Sequence, residues 1–394
     1  MDPDANPYGP GAGTPPPELA GRQELLTEAR SACVRIKRGL PNKSIIVVGL
    51  RGVGKTVLLN RFDEIARDLE YLTVFVEHTE EKSLPHLLVP KLRELLYSLD
   101  RIGALSAAVK RSFRILKSFT GSVKLTLPGD FELGLDVDPE LGTGDSGDLE
   151  TDLTAVFVSV AEAAQDRGRA VALIIDELQY LERGEFSALI MAVHKINQRK
   201  LPLLAFGAGL PQIIGLAGRS KSYAERLFDF PAVGALSETD ARLALSEPAR
   251  REGVTFAADA LSEIVRVTEG YPYFIQEWGY QAWRQAATSP IAIADIRVAT
   301  TKATAVLDQS FFRVRFDRLA PSEKRYLRAM AELGAGPHRS GDIAARYGKT
   351  VMSAGPVRSK LIAKGMIFSP SHGDNEFTVP LFDRYLKRVM PELE

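Results

Sequence analysis

Eight residues, Gly49 to Thr56 (GLRGVGKT), set three glycines, a lysine and a hydroxyl in the spacing GxxxxGK[ST], directly behind the apolar run Ile45, Ile46, Val47, Val48. Glycines at 49, 52 and 54 let the backbone turn tightly, so that its N–H groups face one centre where a polyphosphate can sit. The helix that follows adds the partial positive charge of its N-terminus. Lys55 would reach the β- and γ-phosphates, and the Thr56 hydroxyl would ligate Mg²⁺. The nucleotide-contacting set is thus Gly49, Leu50, Arg51, Gly52, Val53, Gly54, Lys55, Thr56 and Val57.

A second group completes that chemistry. The run Ala170 to Leu181 (AVALIIDELQYL) begins as a continuous apolar strand and ends in Asp176-Glu177. Such a strand belongs inside a parallel sheet, whose carboxyl edge is where ligands bind. Asp176 would hold the metal through water, and Glu177 would orient and polarise the attacking water. The expected catalytic residues are therefore Lys55 and Glu177, with Thr56 and Asp176 at the metal.

The surrounding pattern must position these groups. After the loop, Leu58, Leu59, Phe62, Ile65 and Leu69 recur at helical spacing, and Leu72 to Val76 reads as a second strand. Upstream, Glu18 to Arg38 turns helical and feeds into the first strand, which places Leu19, Ala20, Gly21 and Arg22 to line a base. Downstream come helices over 84–99 and 104–119, the latter with Lys110, Arg114 and Lys117 on one face. The segments VKLTL and FELGLDV flank Pro128-Gly129-Asp130 and predict a β-hairpin inserted near 121–147. Asp148 starts a helix, and the helix 185–198 leads to a strand at 201–206.

Composition bounds the class. The chain has 394 residues, enough for roughly two to three domains of about 150 residues each. With 45% apolar and 25% charged residues it reads as a globular protein, and its net charge of zero means that any acidic partner must be met by a local patch. A single cysteine, Cys33, excludes an internal disulfide and a cysteine-built zinc site. No apolar run approaches the length of a membrane span, and the N-terminus is acidic and Pro-rich, so the expected location is the cytoplasm, with no membrane partner. Residues 1–17 are a Pro/Gly segment expected to be extended or mobile.

With these motifs in view, the chain resembles the AAA+ ATPases of the origin-recognition/initiator type. Gly49 to Thr56 matches Walker A, Ile174 to Glu177 matches Walker B, and Ala20-Gly21-Arg22 resembles that family's base-binding segment. The block Ser222 to Ala241 resembles the segment carrying its arginine finger, which would be Arg226. The resemblance implies an α/β fold: a P-loop NTPase parallel sheet core of five strands, then a helical lid. It also implies ATP with Mg²⁺ as cofactors, and nucleotide-dependent homo-oligomers. Two departures stand out. Gly207-Ala208-Gly209-Leu210-Pro211 follows the fourth strand where a polar sensor is usual, and Gly270-Tyr271-Pro272 stands where the lid commonly offers an arginine. The latter resembles the Gly-x-Pro of the signal-transducing STAND ATPases, whose proline packs near the adenine, so Pro272 joins Gly21 and Arg22 as a candidate base contact. Turnover is expected to be slow.

The C-terminal pattern differs again. Helices over 322–333, 340–347 and 352–364, then two short strands around Ser371 to Asn375, resemble a winged-helix domain. Its third helix and the turn before it carry Lys349, Arg358, Lys360 and Lys364 without an acidic residue, a local excess suited to duplex DNA. A winged helix that contacts protein is the alternative. The expected organisation is a tail at 1–17, an ATPase core at 18–232, a lid at 233–310 and the winged helix at 311–394. The expected function is an ATP-controlled DNA-binding switch, with a STAND-like signalling or defence ATPase as the competing reading.

Overall fold

A computed structural model describes residues 1–11, 13–100, 106–123 and 138–393, which form two compact units. The first comprises Met1–Gln23, Gly49–Gly54 and Val233–Glu394; the second comprises Glu24–Val48 and Lys55–Ala232. The hairpin expected within 121–147 falls largely on residues 124–137, outside the described ones.

The second unit is built on a five-stranded sheet. Its strands are β1 (Ser44–Val48), β2 (Tyr71–Glu77), β3 (Ala170–Asp176), β4 (Leu203–Gly209) and β5 (Phe228–Asp229), in the spatial order β2-β3-β4-β1-β5 and all parallel. β1, β3 and β4 are buried along their whole length, as expected of strands covered on both faces. The register brings Ile46 beside Gly207 and Glu77 beside Asp176, so β4 lies between the strand entering the phosphate loop and the one ending in the two acids. Helices Lys55–Asp68, Leu84–Asp100, Leu149–Asp166 and Arg183–Gln198 supply apolar faces such as Leu58, Leu88, Val156 and Ile190. Asp148 caps its helix as read, its carboxylate accepting from the Thr151 N–H at 3.0 Å and so satisfying one of the unpaired donors of the first turn.

Several boundaries differ from the sequence reading, each for a local reason. The first helix starts at Gln23, not Glu18, because Gly21 adopts φ +68°, a left-handed conformation that no helix continues. β4 runs on through Gly207, Ala208 and Gly209.

The first unit contains the lid helices Glu238–Arg251, Ala258–Thr268, Pro272–Gln285 and Ile293–Leu307. A π-helical turn, Asp308–Phe312, carries the last of these onward, and Phe312 packs on Phe274, Phe382 and Tyr385. The C-terminal module has helices Pro321–Glu332, Ser340–Arg346, Val351–Ala363 and Phe382–Val389. Its sheet joins β6 (His338–Arg339), β7 (Ile367–Phe368) and β8 (Asp374–Phe377) in the antiparallel order β6-β8-β7. Ser340, the first residue of its helix, gives its hydroxyl to the Gly373 carbonyl at 2.7 Å.

The N-terminal segment, expected to be extended or mobile, is tied to the lid. Tyr8 is buried, its hydroxyl donating to the Leu245 carbonyl, and the Met1 ammonium and Asp2 carbonyl bond to Ala286 O and Trp283 Nε1 at 2.8 and 2.7 Å. Gly279 makes the slot: a Cβ there would stand 2.7 Å from the Tyr8 ring. A Pro/Gly composition disfavours regular helix and sheet, but it leaves room for the short 3₁₀ turn Pro3–Ala5 and for an aromatic anchor.

Candidate functional site

Lys55 and Thr56 open the helix that follows the phosphate loop. Lys55 is buried, and the Thr56 hydroxyl donates to Asp176 Oδ2 at 2.6 Å. Thus the two residues assigned to the metal, 120 positions apart in the chain, meet across the edge of the sheet. Burial pushes the Asp176 carboxyl above its ordinary range, with the Thr56 hydrogen bond and Lys55 pulling the other way. A hydroxyl and a carboxylate are the hard oxygen donors Mg²⁺ takes, and Mg²⁺ leaves the rest of its shell to water and phosphate oxygens. The Thr56 hydroxyl and the Asp176 carboxylate, already in contact, are donors of the kind that an ion shared with a phosphate would use.

The next residue, Glu177, has φ 56° and ψ 40°, the left-handed region that a non-glycine residue enters at a cost of about 1–3 kcal/mol. Its N–H donates to Asp176 Oδ1 at 2.8 Å, and one carboxylate oxygen accepts from the Gln179 amide.

The loop residues Gly49–Gly54 belong to the first unit. Gly52 and Gly54 take φ +83° and +91°, which explains the glycines there, and a Cβ on Gly49 would collide with the Val233 carbonyl. Two hydrogen bonds hold the crown of the loop: the Arg51 N–H donates to the Thr378 carbonyl at 3.1 Å, and the Gly52 carbonyl accepts from the Tyr273 N–H at 3.2 Å. Tyr273 is the second residue of the helix that Pro272 begins, so it is the start of that helix, one residue beyond Gly270-Tyr271-Pro272, that bonds the loop. Gly270 is required there, because a Cβ would lie 2.6 Å from the Leu236 carbonyl. Gly21 approaches Asp240 closely, and Arg22 donates to the Gly234 carbonyl at 2.7 Å.

Arg226 lies in a short helical turn, Ala224–Leu227, and is exposed. Asp229, a conceivable partner, bonds Lys43 at 2.9 Å instead. The basic stripe Lys110, Arg114 and Lys117 is on the helix Ala107–Ser122, with the Arg114 side chain reaching the Asp138 carbonyl at 3.3 Å.

Residues 18–206 match the AAA ATPase domain family, and the strand order and the Thr56–Asp176 contact agree with that match. That region has the fold of an AAA+ P-loop core. Residues 309–386 of the same chain match a domain of unknown function, DUF8462. No curated protein matches the chain significantly. Among solved structures, the Walker-type ATPase PABY2304 of Pyrococcus abyssi shares the fold with a TM-score of 0.60 at 17% identity, covering 94% of this chain and 96% of that one. The Aeropyrum pernix ORC1 protein, solved in complex with DNA, gives 0.48 at 15% identity over 94% and 93%. The Thermotoga maritima RuvB Holliday junction branch migration motor gives 0.45 at 14% over 94% and 95%. The AAA+ core has no helix among the described residues long and apolar enough to cross a membrane.

The four basic residues of the C-terminal module divide. Lys364 bonds Glu323 at 2.7 Å and the Arg318 carbonyl at 3.1 Å, while Arg358 bonds Asn375 and, at 3.1 Å, the Ser369 hydroxyl. Lys349 and Lys360 are exposed. Beside Arg358 a cleft of about 310 Å³ is lined by Tyr326, Ser340, Val351 and His372. Sequence reasoning missed Gln179 and Thr378. Gln179 left a faint signal, a polar residue two places after the acid pair; Thr378 left none.

Proposed function

We propose that this chain is an ATP-controlled switch whose C-terminal winged helix responds to the state of the phosphate loop and binds duplex DNA. The observation that supports it most directly is the hydrogen bond from the Arg51 N–H to the Thr378 carbonyl. A loop residue is bonded to the residue that follows β8 in the C-terminal module, so a phosphate that reorders the loop changes a contact of that module. In this reading Gly49 to Val57 cradle ATP, Gly21, Arg22 and Pro272 border the base, Thr56 and Asp176 hold Mg²⁺, and Lys55 neutralises phosphate charge. Mg²⁺ supplies electrostatic stabilisation of the phosphoryl oxygens when bound. Glu177 takes the proton of the attacking water, and Arg226 acts from a neighbouring subunit of a homo-oligomer.

Duplex DNA would meet Lys349 and Lys360, which are exposed. A specific observation favours the competing STAND-like reading, in which the winged helix contacts protein: Arg358 and Lys364 are already engaged within the module. One experiment separates the two. Duplex DNA is titrated at two salt concentrations, with and without ATP. The DNA reading expects affinity that falls steeply with salt and shifts by about fivefold or more with ATP. Salt-insensitive or absent binding transfers the output to a protein partner, and an identical affinity with and without ATP sinks the switch.

A further inference from the structure

The AAA+ core has no polar side chain on the last residues of β4, where Gly207, Ala208 and Gly209 run into Leu210 and Pro211. The structure accounts for that absence. After Glu177 the chain makes a 3₁₀ turn, Leu178–Tyr180, that lies against β4. A Cβ on Gly207 would collide with Leu178 Cδ1, and a Cβ on Gly209 would stand 3.3 Å from Gln179 Oε1 and 3.5 Å from Leu178 Cβ. The glycines are therefore where the turn needs room, and a polar side chain reaches the end of β4 from the turn instead.

That side chain is Gln179, and its orientation is determined by its partners. Oε1 accepts from the Leu210 backbone N–H at 3.0 Å, and an N–H donor can face only the oxygen of the amide. The NH₂ group must then point the other way, where it donates to Glu177 Oε2. The Glu177 backbone is held in the left-handed region that brings its carboxylate round to this amide. The backbone N–H of Leu210, directly after β4, the Gln179 amide and the Glu177 carboxylate thus form one chain.

We propose that Gln179 is a positioning residue for hydrolysis: it fixes the Glu177 carboxylate through Oε2 and leaves Oε1 to take the proton of the attacking water. The inference rests on the reading of Glu177 as the water activator. Strain at Glu177 is offset by the two hydrogen bonds of the amide, and the payoff is a base with one defined orientation.

The test compares Gln179→Glu, Gln179→Ala and Glu177→Gln with the parent full-length protein, in steady-state phosphate release and nucleotide titration. Gln179→Glu is nearly isosteric and still accepts from Leu210, so a purely structural strut survives it, whereas the donor to Glu177 is replaced by a repelling carboxylate. The expected result is a fall in kcat of about tenfold or more with KM for ATP within about twofold, since the lost interaction serves the transition state and not binding. If Gln179→Glu does not fold, Gln179→Ala carries the test with the same expected split and no added charge. A kcat within about twofold of the parent, an increased kcat, or a loss confined to KM overturns the positioning role. If Glu177→Gln is inactive while Gln179→Glu is unimpaired, only the Gln179 inference falls. If Glu177→Gln still hydrolyses ATP, the reading of Glu177 falls and takes this inference with it.

Discussion

The Thr56 hydroxyl donates to Asp176 Oδ2 at 2.6 Å, joining the first turn of the helix after the phosphate loop to the end of β3. Asp176 is buried, with Lys55 and Thr56 favouring its charged form against the cost of burial. Asp176→Asn keeps an acceptor for Thr56 and loses the charge. Its expected effect is a loss of about tenfold or more in ATP affinity with Mg²⁺ present, about 1.4 kcal/mol, and little change when the metal is chelated. Isothermal titration in both conditions checks it, and an equal loss in both would mean that Asp176 acts on the fold rather than on the ion.

The division of labour between Lys55 and Glu177 gives a second expectation. Lys55→Ala should lose ATP binding, whereas Glu177→Gln should bind ATP and fail to hydrolyse it, by about 10² to 10⁴ in rate for a general base. Nucleotide titration and phosphate release are the two measurements. Unimpaired binding by Lys55→Ala would remove that residue from the cradle.

Arg226 is exposed, as a group offered to a neighbour would be. Activity per subunit should rise with protein concentration, and Arg226→Ala should lower kcat by about 10³ or more. A mixture of Arg226→Ala and Glu177→Gln chains, each inactive alone, should recover partial activity by joining an intact Arg226 to an intact Glu177. Full activity of Arg226→Ala at every concentration eliminates the role.

The basic face of the C-terminal module is best probed away from its internal bonds. Reversing Arg358 would also disturb Asn375 and Ser369, so Lys349→Glu with Lys360→Glu is the cleaner pair. Duplex binding should be lost or its salt slope reduced by about two, with ATP affinity kept. An unchanged slope moves the contact elsewhere, the stripe Lys110, Arg114 and Lys117 being the next candidate.

Glu185 links stability to pH in the second unit. Burial raises the cost of its charge, yet His78 and the backbone N–H groups of Leu84 and Glu182, at 2.6 and 3.0 Å, outweigh it and hold the carboxyl below its ordinary range. The His78 ring stands 3.6 Å from the carboxylate, too long for a hydrogen bond, so the two N–H groups are the firmer contribution. A carboxyl depressed on folding stabilises the native state above its unfolded value of about 4.3, and that stability is lost as pH falls through the folded value. Glu185→Gln should cost about 1–3 kcal/mol at neutral pH and flatten the decline of stability below about pH 4. Thermal melts across pH 3 to 7 would show this, and parallel curves for parent and variant would contradict it.

Local signals carried much of this protein in the bare chain. An apolar run followed by GLRGVGKT, an apolar run ending in Asp176-Glu177 and helical spacing between them specify strand, loop and helix through backbone sterics and periodicity, which act over a few residues. They were enough to anticipate a parallel sheet with a phosphate loop and two acids at its carboxyl edge. Tertiary structure alone decided which distant groups meet. Gln179 finds the Leu210 N–H only because β4 lies beside β3, Tyr8 is buried only because Gly279 leaves a slot, and Arg51 bonds Thr378 across more than three hundred residues. Lys364 and Arg358 read as free cations in the chain and are ion-paired or hydrogen-bonded in the fold. Such pairings depend on the stacking of whole elements, and a side chain's own neighbours in sequence carry no record of that stacking.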